Sequence, residues 1–87
     1  MSRVILSNGK TFNAAWAGST VTGETFAANF PDTPLIELAL AFSDQDEITV
    51  EEAGFEPRVY TGFTRISELR TMADGSVNMI LRKEAGA

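Results

Sequence analysis

The chain has 87 residues, 44% of them hydrophobic, with seven bases, twelve acids and a formal net charge of −5; histidine and cysteine are both absent. That size and balance fit a single domain over 1–87, and the missing residue types exclude a disulfide and, in practice, a structural zinc site. An acidic chain also lacks the basic surface that general nucleic-acid binding requires, so no direct nucleic-acid contact is expected.

The N-terminus turns polar at Ser7-Asn8-Gly9, too soon for the apolar core of a signal peptide. No apolar run approaches the roughly 20 residues of a transmembrane helix, so the expectation is a soluble protein with no membrane partner. Arg3 to Ser7 and Lys10 to Trp16 flank Asn8-Gly9. That pair predicts a hairpin with a type I′ turn, in which both central residues take positive φ. In the second arm Phe12, Ala14 and Trp16 alternate with polar or small neighbours, which assigns Trp16 to the core.

Ala17 to Gly23 reads as a loop, and Thr25 to Phe30 as a strand with Phe26, Ala28 and Phe30 on one face. Asp32-Thr33-Pro34 starts a helix, with Thr33 as the cap and Pro34 at the first helical position. Leu35, Leu38, Ala39 and Phe42 form its apolar stripe, which Ile36 and Leu40 widen, predicting a well-covered helix that ends near Ser43-Asp44. Glu47 to Glu52 is a strand with Ile48 and Val50 inward. Arg58 to Ile66 is another, whose Tyr60 and Phe63 fall on opposite faces unless a bulge intervenes near Gly62. Asp74-Gly75 closes a second hairpin, and Ser76 to Lys83 returns with Val77, Met79 and Leu81 on one face. The predicted class is α+β: a β-rich domain with a mostly antiparallel sheet of about five or six strands and one short helix.

Few reactions are open to these residues. Without histidine or cysteine the usual base near neutral pH and the most reactive nucleophile are missing. Lys10, beside a turn, and Lys83, near the tail, are poorly placed for a desolvated Ser/Lys pair, so a non-enzymatic chain is expected. Asp44-Gln45-Asp46-Glu47 offers oxygen ligands, but counting from Asp44 an EF-hand would need Gly where Thr49 stands and Glu where Phe55 stands. No phosphate-binding glycine spacing occurs, and no cofactor or metal is expected.

The charge distribution is the strongest pointer. Between Lys10 and Arg58 there is no base, and Glu24, Asp32, Glu37, Asp44, Asp46, Glu47, Glu51, Glu52 and Glu56 give that stretch −9, against +4 for the flanks. Such a field steers and orients a partner, although an acidic run also simply solubilises a loop. The candidate partner-binding residues are therefore Asp44, Asp46, Glu47, Glu51 and Glu52, with Trp16 and Tyr60 as aromatic anchors. Arg58 and Arg65 share the predicted strand of Tyr60 and would join it if that strand were an edge. The partner is either a second copy or a basic protein surface. A domain this small buries only about 60–65% of its unfolded surface, and with no disulfide or metal a homo-oligomer is the remaining way to stabilise it.

The order of signals also carries a resemblance. The Asn8-Gly9 hairpin precedes a helix ending in Ala41-Phe42-Ser43-Asp44, then Ile48-Thr49-Val50-Glu51, Tyr60-Thr61-Gly62-Phe63-Thr64-Arg65-Ile66 and a last strand from Gly75 to Lys83. This resembles small uncharacterised prophage-encoded proteins of gut bacteria, often found near tail genes. The chain departs from them at Phe30-Pro31-Asp32, where those proteins more often continue a strand. The resemblance implies a phage origin and carries over no functional residue. It implies a protein-interaction module such as a virion or tail accessory subunit, located in the virion or the cytoplasm of the bacterial host. The alternative it raises is an inhibitor of bacterial defence of the anti-CRISPR kind, whose acidic face occupies a nucleic-acid-binding groove.

Overall fold

The computed structural model describes residues 2–19, 23–43 and 47–83. In chain order these form β1 (Ser2–Leu6), β2 (Thr11–Ala14), β3 (Trp16–Ser19), β4 (Thr25–Phe30), α1 (Leu35–Ala41), β5 (Glu47–Glu52), β6 (Arg58–Thr61), β7 (Arg65–Thr71) and β8 (Val77–Arg82). The strands make two four-stranded sheets: a first sheet of order β2-β1-β5-β6 and a second of order β3-β4-β8-β7. Every pairing among the described residues is antiparallel. The β-rich antiparallel architecture with one helix is as expected, but the strands number eight.

The difference arises at two corners. The arm expected to run unbroken from Lys10 to Trp16 bends at Ala15: β2 stays in the first sheet and Trp16 begins β3 in the second. Ala15 already donates its N–H to the Asn29 carbonyl at 2.8 Å, so the second sheet's ladder starts at the bend. The segment expected as a loop after Trp16 is therefore a strand as far as Ser19. Likewise the strand expected from Arg58 to Ile66 divides into β6 and β7 across residues 62–64, with Gly62 at φ 83°. A strand that switches sheets at a bend is how a two-layer β fold turns its corners. Following pairings and corners, the eight strands form a closed circuit around one core.

The hairpins sit where Asn8-Gly9 and Asp74-Gly75 place them, with different turns. Leu6 donates to the Lys10 carbonyl and Gly9 to the Leu6 carbonyl, both at 2.9 Å, and only Gly9 has positive φ. The turn is thus a three-residue loop ending in a left-handed glycine, not a type I′ turn. Met72, Gly75 and Ser76 repeat the pattern between β7 and β8. The side chains of Asn8 and Asp74 each accept the N–H two residues on, from Lys10 at 3.0 Å and Ser76 at 2.9 Å. Those Asx bonds favour a compact turn without asking Asn8 to adopt positive φ.

Inward residues of both sheets and the helix form one cluster, including Val4, Phe12, Phe26, Phe30, Leu38, Ile48 and Met79. Its aromatic rings gather at two ends. Phe12, Phe30 and Phe42 meet with centroids 5.8–6.1 Å apart, and Phe26, Tyr60 and Phe63 meet at 5.2–6.2 Å. Phe26 and Phe30 are both on β4, four residues or about 13 Å apart, so this one strand links the groups. Such ring pairs add about 0.5–1.5 kcal/mol each beyond their buried area.

The helix starts where Pro34 predicts, but Pro34 itself occupies the capping position and no side chain caps it. Leu38, Ala41 and Phe42 are buried, while Ile36 and Leu40 stay 71% and 74% exposed. The expected covering of those two fails on geometry. At 100° per residue each lies about 160° from Leu38, on the far side of the helix. The predicted end is met, with Phe42 as the C-cap. Asp44 and Asp46 lie outside the described residues.

Candidate interaction surfaces

The predicted acidic face is divided. On β5 the inward side belongs to Ile48 and Val50, so Glu47, Thr49 and Glu51 project from the outer face of the first sheet. Glu52 has the parity of Val50 and stands at the end of the sheet, opposite Ser2. Glu51 and Glu52 are also committed to bases of the same chain: Glu51 to Arg3 at 3.9 Å and Glu52 to Arg58 at 3.7 Å. Both pairs are exposed, where such contacts contribute about 0–1 kcal/mol. They nonetheless offset the charges of Glu51 and Glu52. Sequence alone could not foresee them, because Arg3 and Glu51 meet only through the β1–β5 register.

Ser2, Arg3, Asn13, Glu51, Glu52 and Phe55 line an open groove of about 480 Å³ at this end of the sheet. Phe55 belongs to the β5–β6 hairpin loop, where its N–H donates to the Glu52 carbonyl at 3.0 Å and the side chain stands 71% exposed.

The aromatic candidates separate to different parts of the molecule. Trp16, assigned to the core by its alternation with Phe12 and Ala14, is 50% exposed. The bend at Ala15 breaks that alternation, and pairing with Asn29 puts Trp16 on the outer face of the second sheet. Tyr60 lies on β6, an edge of the first sheet, and its ring turns inward to Phe26 and Phe63. Arg58 shares its strand, but Arg65 begins β7 in the other sheet, so the three form no common strand.

The second sheet has an outer face of opposite charge. With Val77, Met79 and Leu81 inward, β8 turns Asn78, Ile80 and Arg82 outward. The register pairs Arg65 with Arg82, Glu68 with Ile80 and Arg70 with Asn78, across a bulge between Ile66 and Glu68. Three arginines and one glutamate therefore share this face with Trp16. None of the three arginines makes an ion pair among the described residues. Beside Trp16, Asn29 donates to Asn78 at 2.6 Å and to the Ser76 hydroxyl at 3.0 Å. Ser76 in turn donates hydroxyl and backbone N–H to Asp74, at 2.6 and 2.9 Å, which holds the Asp74 carboxyl below its usual pKa of 3.8. The outward parity of Arg82 could be read from the alternation of β8. Its pairing with Arg65 could not, because the bulge shifts the register.

Among the described residues no group of three or more acidic, histidine or cysteine side chains could hold a metal ion, and no helix is long and apolar enough to cross a membrane. Comparison with protein-family profiles, curated proteins and solved structures finds no match.

Proposed function

We propose that this protein is a non-enzymatic protein-interaction module. The observation that carries the reading is the set of large apolar side chains left outside the core on a fold whose two outer faces differ in charge. Trp16, Ile36, Leu40 and Phe55 are each at least half exposed. Aromatic groups standing among charges are typical anchors of protein interfaces. Following the sequence resemblance, the module is a phage- or prophage-derived accessory subunit of the virion or tail, acting in the virion or the host cytoplasm.

The other reading, an anti-CRISPR-like inhibitor that fills a basic nucleic-acid-binding groove, rests on Glu51 and Glu52 in the Phe55 groove and on the acidic stretch of the sequence that contains them. The ion pairs of Glu51 with Arg3 and Glu52 with Arg58 weigh against it, because they neutralise part of the charge such mimicry uses.

Affinity capture with the full chain as bait, from phage-infected and uninfected bacterial lysates, separates these readings. Recovery of a tail protein or further copies of the chain supports the virion role, and recovery of a nucleic-acid-binding defence protein supports the inhibitor. Glu51→Lys with Glu52→Lys should abolish capture of the defence protein. Failure to capture any protein, with hydrolytic turnover by the purified chain instead, would sink the module reading.

A further inference from the structure

Arg65 and Arg82 stand directly opposite each other on adjacent strands. Like charges in that position destabilise a sheet, and among the described residues neither makes an ion pair, with Glu68 one row away on the same face. The next row of the same face runs Gly18, Ala27, Ile80 and Glu68. Gly18 and Ala27 therefore put only small side chains next to exposed Trp16. The arrangement suits a ligand that is anionic and carries one bulky apolar group.

The chain contains such a group. The β5–β6 loop presents exposed Phe55 followed by Glu56, and no ion pair occupies Glu56 among the described residues. A chain cannot satisfy itself this way, since the loop joins strands of the first sheet and the receptive face is the outside of the second, with the core between. We infer that a second copy of this chain docks its Phe55-Glu56 loop on the outer face of the second sheet, with Phe55 over Gly18 and Ala27 beside Trp16, and Glu56 against Arg65 and Arg82. This rests on the interaction-module reading and names the partner. Local charge complementarity favours a second copy, because Glu56 and the arginines Arg65 and Arg82 all lack ion pairs among the described residues. The contact joins unlike surfaces, so it either closes by reciprocal exchange in a dimer or propagates to a ring or filament.

Two full-length variants test it, with sedimentation velocity as the readout. Arg70→Glu with Arg82→Glu spoils the face, and folding is protected because Arg82→Glu turns the repulsive pair with Arg65 into an attractive one. Phe55→Ser with Glu56→Lys spoils the loop. The wild type should self-associate with rising concentration, less so at high salt. Each variant alone should associate at least about tenfold more weakly. An equimolar mixture should form a species of twice the monomer mass, because the intact loop of one variant meets the intact face of the other. The inference is overturned by a wild type that stays monomeric at every concentration, by either variant associating as the wild type does, or by a mixture that remains monomeric. An oligonucleotide that binds the wild type and is lost on Arg82→Glu would overturn it in favour of nucleic acid. A monomeric wild type that still captures a tail or defence protein would remove this inference alone and leave the module reading standing.

Discussion

The rings of Tyr60 and Phe63 lie 6.2 Å apart and both meet Phe26, although Tyr60 is on the edge of one sheet and Phe63 sits on the way to the other. In an uninterrupted strand two residues three apart face opposite sides. Here Gly62, at φ 83°, turns the chain so that both rings enter the same core.

Gly62→Ala tests that corner. A methyl group has room, since its nearest neighbour is the Lys83 side chain at 4.0 Å, so the cost is conformational. Positive φ for a residue with a side chain costs about 1–2 kcal/mol, and thermal unfolding should register that loss. A melt equal to the wild type would mean that the corner does not require left-handed backbone.

The two sides of α1 should respond differently to truncation. Leu38→Ala empties fully buried space and is expected to cost about 2–5 kcal/mol. Ile36→Ala and Leu40→Ala remove exposed side chains and should each change stability by less than about 0.5 kcal/mol. Denaturant titration of the three variants checks the contrast. A large loss at Ile36 would show that the far side of the helix is covered in the isolated protein.

Arg82→Glu should make the fold more stable. The change replaces a like-charge cross-strand pair with an opposite-charge one opposite Arg65, a gain on the order of 0.2–1 kcal/mol. Raising salt should narrow the difference, because the pair is exposed and screening shortens to about 8 Å at physiological ionic strength. A less stable variant at low salt would show that the arginines do not repel as their register implies.

Asp74 should titrate below 3.8 because Ser76 donates to its carboxylate through both hydroxyl and backbone. A carboxyl whose folded pKa lies below its unfolded value stabilises the fold above the unfolded pKa. That contribution fades as pH falls from about 3.8 through the folded value. Ser76→Ala removes the hydroxyl bond, so carbon-13 NMR titration should place Asp74 closer to 3.8 than in the wild type. An unchanged titration would assign the depression to the backbone bond alone.

Local chemistry made several elements legible. Asn8-Gly9 and Asp74-Gly75 marked both hairpins because few residues follow such turns, and Pro34 marked the helix start because it cannot continue a ladder. The inward faces of β4, β5 and β8 were readable from their period of two, since alternation is imposed by the pleat itself. What failed was the assumption that alternation continues. Nothing in Ala14-Ala15-Trp16 announces a change of sheet, and Trp16 consequently left the core to which its spacing assigned it.

The sequence by itself determined most of the extended segments, which residues of most strands face inward, and that the middle of the chain holds acids and no base. Tertiary structure alone decided that the strands form two sheets joined at Ala15 and Gly62, that Glu51 and Glu52 meet Arg3 and Arg58, and that Arg65 stands opposite Arg82. The division has a physical cause. Turn chemistry and alternation act between residues a few positions apart, whereas strand neighbours, register and corners are chosen by how the whole set of apolar faces closes over one core.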